Sequence, residues 1–302
     1  MLAQLVNQAR PLGPEAKVLV LGGGYSGSCF ARLLRALGTP VISTRRCPEP
    51  GSEELGFDSA TGVQPTPVEL AGVSHVLCTI PPTREGLDPS LERLTPLLRE
   101  LAPTWVGYLS TTGVYGDQQG GWVDERHEAP ISALQGRSAA RRRCEQDWLA
   151  TGWPVQVFRL PGIYGPGRNP LRSLRQGESR LVHKQGQVFC RIHVDDIAGA
   201  VLHCMGQPPA QQPALVNVVD NRPAPSSELL GYAAHLLDCK LPDYQPFERI
   251  AADLSPMALS FWRDNRRVSN RRLTQELGYQ LRYPSYREGL KACLNEEAAA
   301  PD

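Results

Sequence analysis

The stretch Lys17 to Arg45, KVLVLGGGYSGSCFARLLRALGTPVISTR, constrains this 302-residue chain more than any other. Val18 to Leu21 is an apolar run without polar alternation, as expected of a parallel strand buried on both faces. Gly22, Gly24 and Gly27 follow in the spacing G-x-G-x-x-G. The three positions serve a tight turn, close approach of backbone to a phosphate, and close packing of helix on strand. Cys29 to Leu37 reads as the helix, with Leu33, Leu34 and Leu37 facing the sheet and Gly38 as its stop, and Val41 and Ile42 begin a second strand. A glycine turn between strand and helix predicts a dinucleotide site, with Tyr25, Ser26 and Gly27 offering helix-opening amides to the pyrophosphate.

The tail of the second strand bears on which dinucleotide fits. An acid there hydrogen-bonds the ribose 2′-hydroxyl, whereas an arginine accommodates a 2′-phosphate. Here the tail is Ser43, Thr44, Arg45 and Arg46, with no carboxylate before Glu49. That favours NADP held by Arg45, with NAD as the alternative and a merely solvated basic loop as the plainer reading.

The remaining chain alternates apolar strands with helical stretches. HVLCTI at 75–80 is closed by Pro81-Pro82, leucines at 91, 94, 97, 98 and 101 mark an amphipathic helix, and Trp105 to Ser110 is a further strand. A helix over 132–149 and a strand over Val155 to Leu160 follow, and LVNVVD is a last sheet strand. This order predicts an α/β, Rossmann-type, doubly wound parallel sheet whose ligands lie beyond the carboxyl ends of the strands. Residues 1–160 and 191–222 would form the dinucleotide-binding domain, and residues 161–190 and 223–302 a smaller, partly C-terminal substrate lobe.

Composition narrows the partners. Lys plus Arg total 32 against 31 Asp plus Glu, so no global field draws in nucleic acid or a membrane surface. The eight cysteines form no C-x-x-C pair and the six histidines no metal-ligand spacing, so no metal site is expected. Without a secretory signal or an apolar run of membrane-spanning length, the expectation is a soluble, cytoplasmic protein acting on a small molecule.

GGGYSG, LSTTGVYGD, FRLPGIYGPG, IHVDDIAGAV and LVNVVD occur in an order that resembles the extended or atypical short-chain dehydrogenase/reductase superfamily, the NAD-dependent epimerase/dehydratase group. VSN, LGY and YPSYREGL near the end are similar to its YeeZ-like atypical branch. The resemblance implies a Ser or Thr after the fifth strand, matched here by Thr111, and a Tyr-x-x-x-Lys on the next helix. Aligned on Glu145, those two places hold Arg137 and Arg141. An arginine does not deprotonate in a protein, so Arg137 cannot stand in for the tyrosine in proton transfer. Arg141 suits phosphate and ribose oxygens.

The resemblance also implies that Pro161 and Gly162 line the nicotinamide pocket and that relatives pair through the helices at 91–101 and 132–149, giving a homodimer. Tyr115 and Tyr164, in Y-G turns, are candidates for the missing proton donor, with packed, hydrogen-bonded tyrosines as the plainer reading. Arg168 and Arg191 could receive an anionic, nucleotide-sugar-like substrate. His193 and the adjacent Asp195 and Asp196 read as structural, within a strand and at a helix cap. Two functions stay open: an NAD(P)-dependent oxidoreductase or epimerase-like enzyme, and a non-catalytic NADP(H) sensor.

Overall fold

In the computed structural model, which describes residues 2–299, seven parallel strands form one sheet. They are β1 (Val18–Leu21), β2 (Val41–Arg45), β3 (Leu55–Gly56), β4 (His75–Cys78), β5 (Trp105–Thr111), β7 (Val155–Leu160) and β11 (Leu215–Asn217), in the order β11-β7-β5-β4-β1-β2-β3. Three two-stranded parallel ribbons lie outside it: β6 (Trp122–Val123) with β13 (Arg267–Val268), β8 (Gly162–Tyr164) with β10 (Arg191–His193), and β9 (Leu181–His183) with β12 (Tyr244–Pro246). The strand order reverses between β1 and β4, and at such a switch point the loops diverge and open a crevice.

Helices cover both faces. On one, α1 (Leu2–Gln8), α2 (Tyr25–Ala36) and α6 (Val194–Met205) pack Leu5, Phe30, Leu33, Ile197 and Val201 against Val18, Val20 and Phe158. On the other, α3 (Pro89–Leu101) and α4 (Gly136–Leu149) bring Leu94, Leu98 and Trp148 to Leu19, Val76 and Tyr108. Side chains alternate along β1 between the two cores, which explains its unbroken apolar run. A third cluster joins Tyr164, Leu171 of α5 (Pro170–Arg175), Ala233 and the C-terminal helix Tyr286–Ala299 through Tyr286, Leu290 and Cys293.

The helix after the glycine turn begins at Tyr25, not Cys29, with Gly24 as its N-cap. Gly27, flanked by Ser26 and Ser28, is a poor helix former, so local propensity delays the expected start; packing against β1 overrides it. Asp195 and Asp196 sit in the first turn of α6 rather than in a strand, and His193 occupies the N-cap, where its Nδ1 accepts from the Asp195 amide at 3.2 Å. Asp196 does not cap its own helix. Its carboxylate accepts from the backbone amides of Arg282 and Tyr283 (2.7 and 3.0 Å) and from the Tyr279 hydroxyl, and so fastens the late segment to α6.

Candidate active site

The glycine turn divides its labour as the spacing implies. Gly22 adopts φ +99°, a left-handed conformation costly to any residue with a Cβ. A Cβ on Gly27 would run into the Gly22 carbonyl, so its absence lets α2 seat on the strand. At Gly24 an added Cβ would meet nothing within 4 Å, and this residue has an ordinary φ of −75°. Neither crowding nor conformation demands glycine at 24, and the space in front of its backbone remains open. Gly23, Gly24, Tyr25, Ser28, Arg45 and Pro166 border a pocket of about 460 Å³ there. The α2 N-terminus opens into it, with no side chain capping its amides. Uncapped helix-opening amides are a binding place for a phosphate, so the residues present fit a dinucleotide.

The loop after β8 closes over this turn. The Tyr25 hydroxyl donates to the Pro166 carbonyl at 3.0 Å, and the Arg168 guanidinium lies 5.6 Å from the Tyr25 ring centre. Arg168 is therefore brought beside the glycine turn. Deeper in, Cys29 Sγ contacts Asp195 Oδ1 at 3.5 Å, and burial, then the Asp195 charge, raises the thiol to about 12. Cys29 is an inert thiol at neutral pH.

Arg45 ends β2, but it does not stand alone. Glu54 returns from the loop leading into β3 and grips it in two places, Nε to Oε2 at 2.5 Å and Nη2 to Oε1 at 3.2 Å. The same Oε1 lies 2.5 Å from where a Gly23 Cβ would sit. A carboxylate thus rests on the glycine turn, a relationship the sequence does not announce.

Beyond β5 and β7 the chain continues along the same carboxyl edge of the sheet. Thr111 ends β5 and pairs with Leu160 of β7, which sets Pro161 and Gly162 at the same carboxyl edge. Thr111 Oγ1 accepts from the Gly113 amide at 3.1 Å and N-caps the short helical turn Thr112–Tyr115, leaving its hydroxyl hydrogen for another acceptor. Arg141 points inward: Nη1 donates to the Leu109 carbonyl at 2.8 Å, the Tyr108 hydroxyl at 2.9 Å and, more weakly, the Ile80 carbonyl at 3.4 Å. It braces the ends of β4 and β5. Arg137, one turn earlier on α4, is exposed and has no hydrogen bond or ion pair among the described residues.

The proton-donor candidates are packed away. Tyr115 is fully buried, donates to Asn217 Oδ1 at 2.8 Å and lies 4.8 Å beneath the Arg159 guanidinium; burial raises its pKa. Tyr164 is likewise buried and donates to the Ser285 carbonyl at 3.3 Å. His193 is enclosed, and burial lowers it to about 3. Because its Nδ1 accepts from the Asp195 amide, the tautomer assigned from the bonding carries its proton on Nε2, which faces Cys293 Sγ at 3.7 Å. Such a histidine cannot take a proton from that thiol. Arg191 is also spent inside the protein: it is buried and donates to the carbonyls of Phe189 and Ala224 at 3.0 and 2.9 Å. No cluster of three acidic, histidine or cysteine side chains that could hold a metal occurs among the described residues, and no helix among them is long and apolar enough to cross a membrane.

Known proteins share this fold. A conserved protein of unknown function from Silicibacter pomeroyi is 40% identical and superposes with a TM-score of 0.84 over 93% of this chain and 99% of that one. A protein of Methylobacillus flagellatus classed as an NAD-dependent epimerase/dehydratase is 27% identical, with a TM-score of 0.69 over 94% and 99% of the two chains. Protein YeeZ of Escherichia coli K12 is 27% identical over 204 residues, 61% of this chain and 71% of its own length. No established family profile matches the chain.

Proposed function

Since the chain belongs to the extended short-chain dehydrogenase/reductase superfamily, in the NAD-dependent epimerase/dehydratase group, we propose that it binds a nicotinamide dinucleotide and acts as an NAD(P)-dependent oxidoreductase or epimerase-like enzyme on a small, anionic substrate. The observation that carries the reading is the open space before the Gly24 backbone, at an uncapped helix start, bordered by Arg45. Gly22, Gly24, Tyr25, Ser26 and Gly27 would hold the pyrophosphate, joined by Arg168 from the closing loop. A bound nicotinamide would supply hydride transfer. Thr111 would donate its free hydroxyl hydrogen to the substrate oxygen, and Pro161 and Gly162 would wall the nicotinamide side. Arg137 would offer a fixed positive charge to an anionic group or a developing oxyanion, which a guanidinium can stabilise without exchanging a proton.

Replacement of the tyrosine and lysine by Arg137 and Arg141 supports a second reading, a non-catalytic NADP(H) sensor. Arg141 is committed to strand-end carbonyls, and Tyr115, Tyr164 and His193 are enclosed. The two readings share the cradle and part at turnover.

Gly24→Val tests the cradle. Valine fits the backbone conformation and its Cβ meets no atom within 4 Å, so the fold should lose only about 1 kcal/mol at the helix cap. Its branched side chain would fill the space before the amides, and dinucleotide affinity should fall more than about tenfold. Unchanged affinity in a folded Gly24→Val protein would remove the cradle from the proposal.

A further inference from the structure

We propose that Glu54 is the residue that sets the cofactor choice of this site, and that it turns the preference toward NAD(H) despite Arg45. The inference rests on the dinucleotide reading above and goes beyond it, since the end of β2 taken alone favours a 2′-phosphate.

The geometry has three parts. First, the loop at 46–54 runs back over the end of β2 before β3 pairs with it, Thr44 opposite Leu55 and Arg45 opposite Gly56. This return brings a residue nine positions downstream to Arg45. Second, Glu54 takes the guanidinium side-on through Nε and Nη2, a paired geometry that fixes the orientation of both groups. Third, Glu54 Oε1 rests on Gly23, the residue between the first two glycines of the turn, while the Gly23 amide donates to the Thr44 carbonyl at 2.6 Å. The carboxylate missing from the β2 tail is therefore supplied from β3's approach.

Two consequences follow from charge and donor inventory. A carboxylate accepts hydrogen bonds and gives none, so at a ribose edge it favours a hydroxyl and repels a phosphate. The same carboxylate neutralises Arg45 and occupies two of its donors, so a 2′-phosphate meets a guanidinium already shared with an anion. The Glu54 side chain is only 17% exposed, against 44% for Arg45, which makes the carboxylate the better-held partner.

The test is calorimetric titration of NADH and NADPH into the full-length wild type, Glu54→Gln and Arg45→Ala, with melting curves to establish folding. Glutamine keeps the size of the side chain and removes its charge. The wild type should bind NADH more tightly; Glu54→Gln should shift the NADPH-to-NADH affinity ratio toward NADPH by about tenfold or more, and Arg45→Ala, which leaves the Glu54 charge uncompensated, should lower NADPH affinity more than NADH affinity. 2′,5′-ADP against 5′-AMP should repeat the shift, which assigns it to the ribose edge. A ratio that Glu54→Gln leaves unchanged, or a wild type that prefers NADPH, overturns the assignment of Glu54 while leaving the dinucleotide reading intact. Failure of the folded wild type to bind either dinucleotide overturns both.

Discussion

The Arg159 guanidinium closes on the Glu145 carboxylate through two hydrogen bonds of 3.0 and 2.8 Å, with both side chains almost wholly shut off from water. Arg142 adds a third contact to the same carboxylate at 3.0 Å. The pair ties α4 to β7, and α4 carries Arg137 and Arg141. Glu145 therefore fixes that helix against the sheet.

Removing Glu145 leaves Arg159 charged, buried and unpaired. Glu145→Ala should cost about 3–5 kcal/mol, measured as a fall in the urea unfolding free energy. A loss below about 1 kcal/mol would mean that water reaches Arg159, contrary to the burial described.

Two buried acids should give the stability a characteristic pH slope. Burial raises Asp220 to about 7 and Asp196 to about 6. In the unfolded chain both ionise near pH ~4. Between these limits the unfolded state has lost protons that the native state keeps, so their contribution is full at low pH and declines as pH rises toward 7. Asp220→Asn removes one of the two. The wild type should therefore lose stability relative to Asp220→Asn between about pH 4 and about pH 7, by urea midpoints. A difference that is flat across that window would contradict the raised Asp220.

Gly24 and Gly27 should behave oppositely when given a side chain. Gly27→Ala drives a methyl into the Gly22 carbonyl and should cost about 2–3 kcal/mol, more than the roughly 1 kcal/mol of Gly24→Val, with a correspondingly lower melting temperature. Equal melting temperatures for Gly24→Val and Gly27→Ala would refute this division of roles.

Tyr115→Phe should lower stability by about 1–3 kcal/mol, because Asn217 loses a buried donor, yet leave dinucleotide affinity unchanged. The urea midpoint and a titration check the two halves. Undiminished stability would argue that Tyr115 is kept for chemistry instead.

The local pattern of this chain made much of the fold legible: the apolar runs of β1, β4, β5 and β7 become strands, and the glycines stand where turn, opening and packing require them. What escaped was non-local. Arg45 reads as a free cation because Glu54 lies across a returning loop, and Arg191 reads as an anion receptor because the carbonyl of Ala224 that engages it is 33 residues away. His193 and Asp196 were legible as structural, but their cap and anchor roles depend on a helix starting one residue after a short strand. The expected start of α2 missed Tyr25 because tertiary packing, and not propensity, pulls Tyr25 to Ser28 into the helix.

The central claim, a dinucleotide seated on the glycine turn, is tested most directly by calorimetric titration of NADH and NADPH into wild type and Gly24→Val side by side. The account predicts saturable one-to-one binding to the wild type and its loss in a Gly24→Val protein that remains folded, with stability lowered by no more than about 1 kcal/mol. A wild type that takes up neither dinucleotide, or a folded Gly24→Val protein that binds as well as its parent, would contradict it.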